Sequence, residues 1–226
     1  MSSIESCIET LYEFITNERK DRFEEVLDKR TKHITLILED LYQSRNISAV
    51  MRSADGFGLQ DLHIIEDNHK WKGTKSVSKG ASSWLTLHKY IGEDPVTDCI
   101  ENIKSSGFRI VATTPHKIGY TPDTLPIDKP LAVVFGTELT GISDKLMSQA
   151  DDYLEIPMYG FSESFNVSVA ASITLNRIRT RIEEAGVNNK LSEQEKEKLR
   201  LVWAYKTVKD AKEILKHYGK ELPFEI

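Results

Sequence analysis

Residues 154–175 read LEIPMYGFSESFNVSVAASITL, and this stretch decides the fold class. It opens on a short apolar strand pattern that ends at Ile156. Pro157 then stops any sheet ladder, because proline has no N–H to donate. A polar loop follows, from Met158 to Ser164. From Phe165 the chain turns to small and β-branched residues (Val167, Val169, Ala170, Ala171, Ile173, Leu175), which predicts a close-packed helix over 165–184. Ser162 or Ser164 is expected to cap it, since a serine oxygen satisfies an orphan N–H of the first turn. A polar loop between a buried strand and a buried helix is where an α/β protein places a ligand.

Working outward, the same alternation of strand and helix recurs. HITLILE (33–39) predicts a buried strand. Asn46 reads as a helix cap for NISAVMRSADGFG (46–58), which stops at glycine. LHIIE (62–66) gives the next strand, completing a β-α-β unit and hence a parallel pair. WLTLHKY (84–90) predicts a third strand, residues 94–106 a helix, and FRIVAT (108–113) a fourth strand. LAVVF (131–135) predicts a fifth, deeply buried strand that runs into a Gly-bounded turn, GTELTG (136–141). A short helix over 143–149 and a strand over 153–156 complete six strands. The resulting fold class is α/β: a mostly parallel sheet with helices on both faces.

The ends read differently. Residues 3–30 predict a helix carrying Arg19, Lys20, Arg22, Lys29 and Arg30. The segment from 188 to 226 predicts a helical tail, opened by Ser192 with Glu195 three residues on, the spacing of a capping box. The expected organisation is a helical extension over 1–32, a core domain over 33–187 and a helical extension over 188–226.

The chain has 226 residues, 39% hydrophobic and 29% charged, with a formal net charge of −5. That balance fits a soluble globular protein. No apolar run approaches the ~20 residues needed to cross a bilayer. The acidic opening MSSIESCIETLYEF lacks the basic and apolar regions of a secretion signal, so a cytoplasmic location is expected. Two widely separated cysteines, Cys7 and Cys99, match no metal spacing, and the six histidines do not cluster; no metal site is expected. The net charge does not favour nucleic acid, so an RNA partner would have to be met by local basic patches. There is no GxGxxG after the first strand, no GxxxxGK[ST], no GxSxG and no HExxH. Three polar sites in apolar surroundings remain: Asn46 with Arg52, the turn containing Gly136 and Glu138, and the loop holding Ser164 and Asn166.

Taken together and in order, these three sites resemble the motifs of the SPOUT methyltransferases, in particular the TrmH-type RNA ribose 2′-O-methyltransferases. Asn46, Ala49, Arg52, Ala54, Phe57 and Gly58 match the first motif. Phe135, Gly136, Glu138 and Gly141 match the second. Ile156, Pro157, Met158, Gly160, Ser164, Asn166, Val167 and Ser168 match the third; Phe165 stands where leucine is usual in that family. The resemblance spans residues 46–168 and implies a C-terminal trefoil knot, an exception to the rule that chains do not thread. It implies S-adenosyl-L-methionine as cofactor, held by Thr113, Thr114, Gly136, Ile156, Met158, Ser164 and Phe165, and a homodimer with no membrane partner. It implies Arg52 as the catalytic residue, with Asn46, Glu138, Ser164 and Asn166 shaping the pocket and positioning it. The implied reaction is methyl transfer to a ribose 2′-hydroxyl, at guanosine 18 of the tRNA D-loop. The implied RNA contacts come from Arg19, Lys20, Arg22, Lys29 and Arg30, from Lys72 and Lys75 in the 70–79 loop, and from Arg177. The same chemistry on ribosomal RNA, and a non-catalytic RNA-binding protein of this fold, stay open as alternatives.

Overall fold

The computed structural model describes residues 3–67 and 80–226. Two helices, α1 (Ser3–Tyr12) and α2 (Asn17–Leu27), open the chain. The middle runs β1 (Ile34–Glu39), α3 (Ser44–Gly56), β2 (Asp61–Ile65), α4 (Ala81–Trp84), β3 (Thr86–Tyr90), α5 (Pro95–Ser105) and β4 (Arg109–Thr113). It continues with β5 (Leu131–Phe135), α6 (Asp144–Met147), β6 (Asp152–Leu154) and α7 (Val167–Glu184). Two helices, α8 (Glu193–Thr207) and α9 (Ala211–His217), close the chain. Residues 31–189 form one compact unit; residues 1–30 and 190–226 together form another.

The central unit holds a six-stranded sheet in the order β3-β2-β1-β5-β4-β6, with every neighbouring pair parallel. β1 and β5 sit side by side in its middle, Ile34 opposite Leu131 and Leu38 opposite Phe135. Each is buried at every position. That is why both read as unbroken apolar runs: helices cover both faces of a parallel sheet, so no position faces water. On one face Leu36 and Leu38 pack with Ile47, Val50, Met51 and Ala54 of α3 and with Ala171, Leu175, Ile178 and Ile182 of α7. On the other, Ile37 and Val134 pack with Cys99, Ile100 and Ile103 of α5 and Leu146 of α6. β3 is an edge strand, and none of its five positions is fully buried.

Several boundaries differ from the sequence reading. α3 begins at Ser44, so Asn46 lies inside its first turn and does not cap it; Gln43 holds the cap position without a side-chain bond. α7 is capped neither by Ser162 nor by Ser164 but by Asn166, whose Oδ1 accepts the Ser168 N–H at 2.9 Å. A single N-terminal helix is replaced by α1 and α2, because Thr16 takes an extended conformation and caps α2 through the Arg19 N–H.

In the terminal unit α1 packs with α8 and α9, and α2 with α8. The two ends, separated in the sequence reading, are therefore one structure. Ser192 and Glu195 form the capping box of α8 as predicted. Leu11, Phe23, Leu27, Trp203 and Leu215 are buried. Phe23 meets Trp203 edge-on at 5.6 Å. Arg30 is also fully buried, its guanidinium 5.4 Å from the Trp203 ring.

Candidate active site

The carboxyl ends of parallel strands are where an open α/β sheet binds ligands. Here the ends of β4, β5 and β6 open into a cavity of about 470 Å³. Thr113 and Thr114 close it from the end of β4, and Gly136 and Glu138 from the turn after β5. Ile156, Met158, Ser164, Phe165 and Asn166 line it from the loop that joins β6 to α7. All seven residues expected to hold a cofactor thus face one space.

The walls are held by local bonds. Thr113 Oγ1 donates to the Val134 carbonyl at 2.6 Å, tying β4 to β5. The Thr114 N–H donates to the Leu154 carbonyl at 2.9 Å, extending the β4–β6 ladder to the cavity's edge. The 137–141 turn closes on itself, with the Thr137 N–H on the Gly141 carbonyl at 2.9 Å and the reverse bond at 3.1 Å. Gly141 has φ +71°, a conformation that glycine adopts without strain. At Gly136 a Cβ would collide with the backbone of Gly141 and Ile142, so the turn can fold back only over a glycine.

The polar residues of the three motifs meet at the rim. Asn46 Nδ2 donates to Glu138 Oε1, joining positions 92 apart in sequence. Asn166 Nδ2 donates to Asn46 Oδ1 at 3.2 Å, across 120 positions. Asn166 Oδ1 accepts from both the N–H and the Oγ–H of Ser168, at 2.9 and 2.7 Å. Farther along, Ser172 Oγ donates to the Ser168 carbonyl at 2.8 Å and lies 2.8 Å from Ser53 Oγ of α3. A continuous polar seam therefore runs between α3 and α7, and the Glu138 carboxylate ends it. Beneath the turn, buried Glu39 accepts the Ser143 N–H at 2.8 Å and its Oγ–H at 2.5 Å. Burial pushes the Glu39 carboxyl above its ordinary value, against the pull of those two bonds.

The remaining expected residues distribute unevenly. Arg52 is exposed on α3 and is not part of the cavity lining. Its Cα lies about 9 Å of helix rise from Asn46. Of the expected RNA contacts, Arg19, Arg22 and Lys29 are exposed on or just beyond α2 and Lys20 is half-buried there. Arg22 and Lys29 both pair with Glu25, at 2.5 and 2.6 Å. Arg30 is a correction: its burial beneath Trp203 removes it from any RNA surface. Arg177 holds Asp123, with Nε at 2.8 Å. Lys72 and Lys75 lie outside the described residues. A second hollow, of about 560 Å³ in the terminal unit, is lined by Glu5, Glu9, Glu193 and Glu197 with Arg200, a sign unsuited to phosphate. Among the described residues no group of three or more His, Cys, Asp or Glu is placed to hold a metal, and no helix is long and apolar enough to cross a membrane.

The sequence reading missed His116, Thr137 and Glu163 as cavity residues, and the serine seam altogether. His116 carried one usable signal, its place two residues after the threonine that ends the β4 ladder. The serines carried none, being common on helix surfaces.

Residues 33–176, which contain this cavity and its rim, match the SpoU rRNA Methylase family. The chain belongs to that family. Within it, a tRNA (guanosine(18)-2′-O)-methyltransferase of Borreliella burgdorferi is 40% identical over 203 residues, covering 90% of this chain and 92% of the relative. The crystal structure of the Aquifex aeolicus TrmH/SpoU tRNA modifying enzyme superposes with a TM-score of 0.76 at 32% identity, covering 85% of this chain and 98% of that one. The SpoU methyltransferase AviRb from Streptomyces viridochromogenes, in complex with the cofactor AdoMet, superposes with a TM-score of 0.58 at 25% identity, over 70% and 61% of the two chains.

Proposed function

We propose that this protein is an S-adenosyl-L-methionine-dependent tRNA ribose methyltransferase acting on the 2′-hydroxyl of guanosine 18. The observation that carries the reading is the convergence of the three motifs: Glu138, Asn46 and Asn166 joined in one hydrogen-bonded chain at the rim of a single cavity. The names of the family's tRNA-modifying members, one of them matched over nine-tenths of this chain, support the choice of tRNA.

The cavity suits the cofactor. Its volume falls within the roughly 300–1,000 Å³ of small-molecule sites. Apolar walls from Phe135, Leu154, Ile156 and Met158 suit a purine, and the Thr113 and Thr114 end with adjacent backbone suits the polar groups of a ribose and amino acid. When bound there, S-adenosyl-L-methionine supplies an electrophilic methyl on a sulfonium sulfur. The ribose 2′-oxygen forms the new C–O bond as the C–S bond breaks, and the hydroxyl proton must leave. Arg52 is not the base for that proton, since a guanidinium carries N–H donors and no acceptor. It holds an RNA phosphate, whose oxygen orients the hydroxyl and receives the proton. Asn46, Glu138 and Asn166 are positioning residues that fix the rim, and Ser164 contributes to the pocket wall.

The same reading includes a trefoil knot, a homodimer and a cytoplasmic location. For the knot, Arg181 of α7 donates to the Pro122 and Leu125 carbonyls at 2.9 and 2.8 Å, seating the C-terminal helix of the domain against the long β4–β5 connection. For the dimer, Leu139 at the cavity and Tyr159 and Phe161 on the loop before α7 stand fully in solvent, and Phe165 and Val169, flanking the start of α7, lie partly exposed. Apolar surface of that kind marks an interface. For the location, Cys7 and Cys99 are both free thiols.

The test is transfer of labelled methyl to total tRNA and to ribosomal RNA, with the modified nucleotide mapped. Label at the D-loop guanosine is expected. Label in ribosomal RNA alone would keep the chemistry and overturn the substrate. No label in either, with cofactor bound, would leave an RNA-binding protein without catalysis.

A further inference from the structure

α3 carries a second cation that the three motifs do not use. Arg45 and Arg52 lie seven residues apart, two turns of one helix, and so share a face. Both are exposed, and among the described residues neither has a hydrogen-bond or ion-pair partner. That sets them apart from the rest of the arginines. Arg22, Arg109, Arg177, Arg179 and Arg200 pair with carboxylates. Arg181 holds two carbonyls, Arg30 lies over Trp203, and Arg19 also has a partner in the protein.

The chain has 35 acidic residues, yet none lies in the first turn of α3, where Arg45 sits. The positive end of the helix dipole disfavours a cation there. A local rule broken without compensation inside the protein points to a compensating group outside it. Tyr42, three positions before Arg45 and 72% exposed, adds an aromatic side chain just ahead of the same helix. Asn46, the neighbour of Arg45, is anchored to Glu138 and Asn166 at the cavity rim, so this strip begins at the active site.

We infer that Arg45 and Tyr42 form a second substrate-binding subsite for RNA, Arg45 holding a backbone phosphate of a nucleotide flanking the methylated ribose and Tyr42 stacking on its base. The inference rests on the proposed ribose methyl transfer and extends it. About 10 Å of helix rise separates Arg45 from Arg52, so the two guanidinium groups serve different phosphates of one strand. An exposed aromatic beside a cation is how single-stranded nucleic acid is held without base-edge readout.

Steady-state methylation of tRNA, with direct tRNA binding across a salt series, tests it on Arg45→Ala, Arg45→Lys and Tyr42→Ala. Arg45→Ala should raise the KM for tRNA about tenfold, with far less effect on kcat, and lower the slope of log Kd against log salt by about one. Arg45→Lys should restore the slope, because it keeps the charge. Tyr42→Ala should weaken binding about fivefold or more without changing the slope. Unchanged binding of the cofactor shows that each variant is folded. If Arg45→Ala binds tRNA with wild-type affinity and slope while the wild-type protein methylates it, the subsite does not exist and the proposed function survives. If the wild-type protein labels no tRNA, the functional reading fails and takes the subsite with it.

Discussion

Gly136 has no room for a side chain, and the reason is backbone rather than ligand: the 137–141 turn folds directly over it. Gly136→Ala is expected to displace that turn. It should lower stability by about 2 kcal/mol or more and abolish cofactor binding, as read by thermal unfolding and calorimetry. Native unfolding with intact cofactor affinity would show that the turn can shift. Arg52 behaves differently, because it is exposed and is not among the residues that line the cavity. Arg52→Lys keeps the charge but gives up the guanidinium fork that the proposed function assigns to an RNA phosphate. Its kcat should drop at least about a hundredfold, with cofactor affinity near normal; equal loss of both would remove Arg52 from the chemistry. These two residues were visible in the sequence for different reasons. Glycine after a buried strand signals a close approach, whereas Arg52 stood out as a cation six residues after Asn46 on one predicted helix, and only the resemblance to a family gave it a catalytic role. Arg30 was misread because a run of basic residues at a helix end looks solvated, and only packing shows that one of them lies under Trp203.

At the scale of elements, β2 and β3 carry a pH-dependent contact far from the cavity. His63 of β2 is buried and stacks on His88 of β3 with 4.6 Å between ring centroids; its Nδ1 lies 2.8 Å from the Tyr90 hydroxyl. Burial, helped by the neighbouring His88, depresses the His63 pKa to about 4. The folded protein therefore binds fewer protons than the unfolded chain between the unfolded value near 6.5 and about 4. Stability is complete above pH 6.5 and falls as the pH drops toward 4, by about 3 kcal/mol from this group. Chemical denaturation across that window should show the fall, and His63→Gln should flatten it. An equal slope in the variant would assign the acid sensitivity elsewhere. The element boundaries that the sequence reading shifted follow one pattern. Asn46, Ser162 and Ser164 were read by local capping preference. Asn166 caps α7 instead, through Oδ1, and its Nδ2 also reaches Asn46. Asn46 leaves the cap position altogether because its amide is taken by partners 92 and 120 residues away.

For the whole molecule, the apolar surface of Leu139, Tyr159 and Phe161 is the strongest sign of self-association, both Leu139 and Tyr159 being 97% exposed. The double substitution Tyr159→Asp with Phe161→Asp should convert a dimer to a monomer in analytical ultracentrifugation and remove methyl transfer. A wild-type protein that sediments as a monomer would overturn the proposed dimer. The terminal unit shows what chain order conceals: α1 and α2 pack with α8 and α9, although more than 150 residues intervene.

By itself the sequence determined the α/β alternation, the buried middle strands, the capping box of α8 and the identity of the three motifs. Each depends on residues near one another in the chain, where periodicity, turn chemistry and capping act. Only the tertiary structure decided that Asn46, Glu138 and Asn166 touch, that both chain ends make one unit, and that Arg30 is buried while, among the described residues, Arg45 and Arg52 have no partner. Those outcomes depend on strand order. By placing β5 between β1 and β4, and β6 beyond β4, the sheet brings the carboxyl ends of β4, β5 and β6 around one cavity, and no local preference encodes that order.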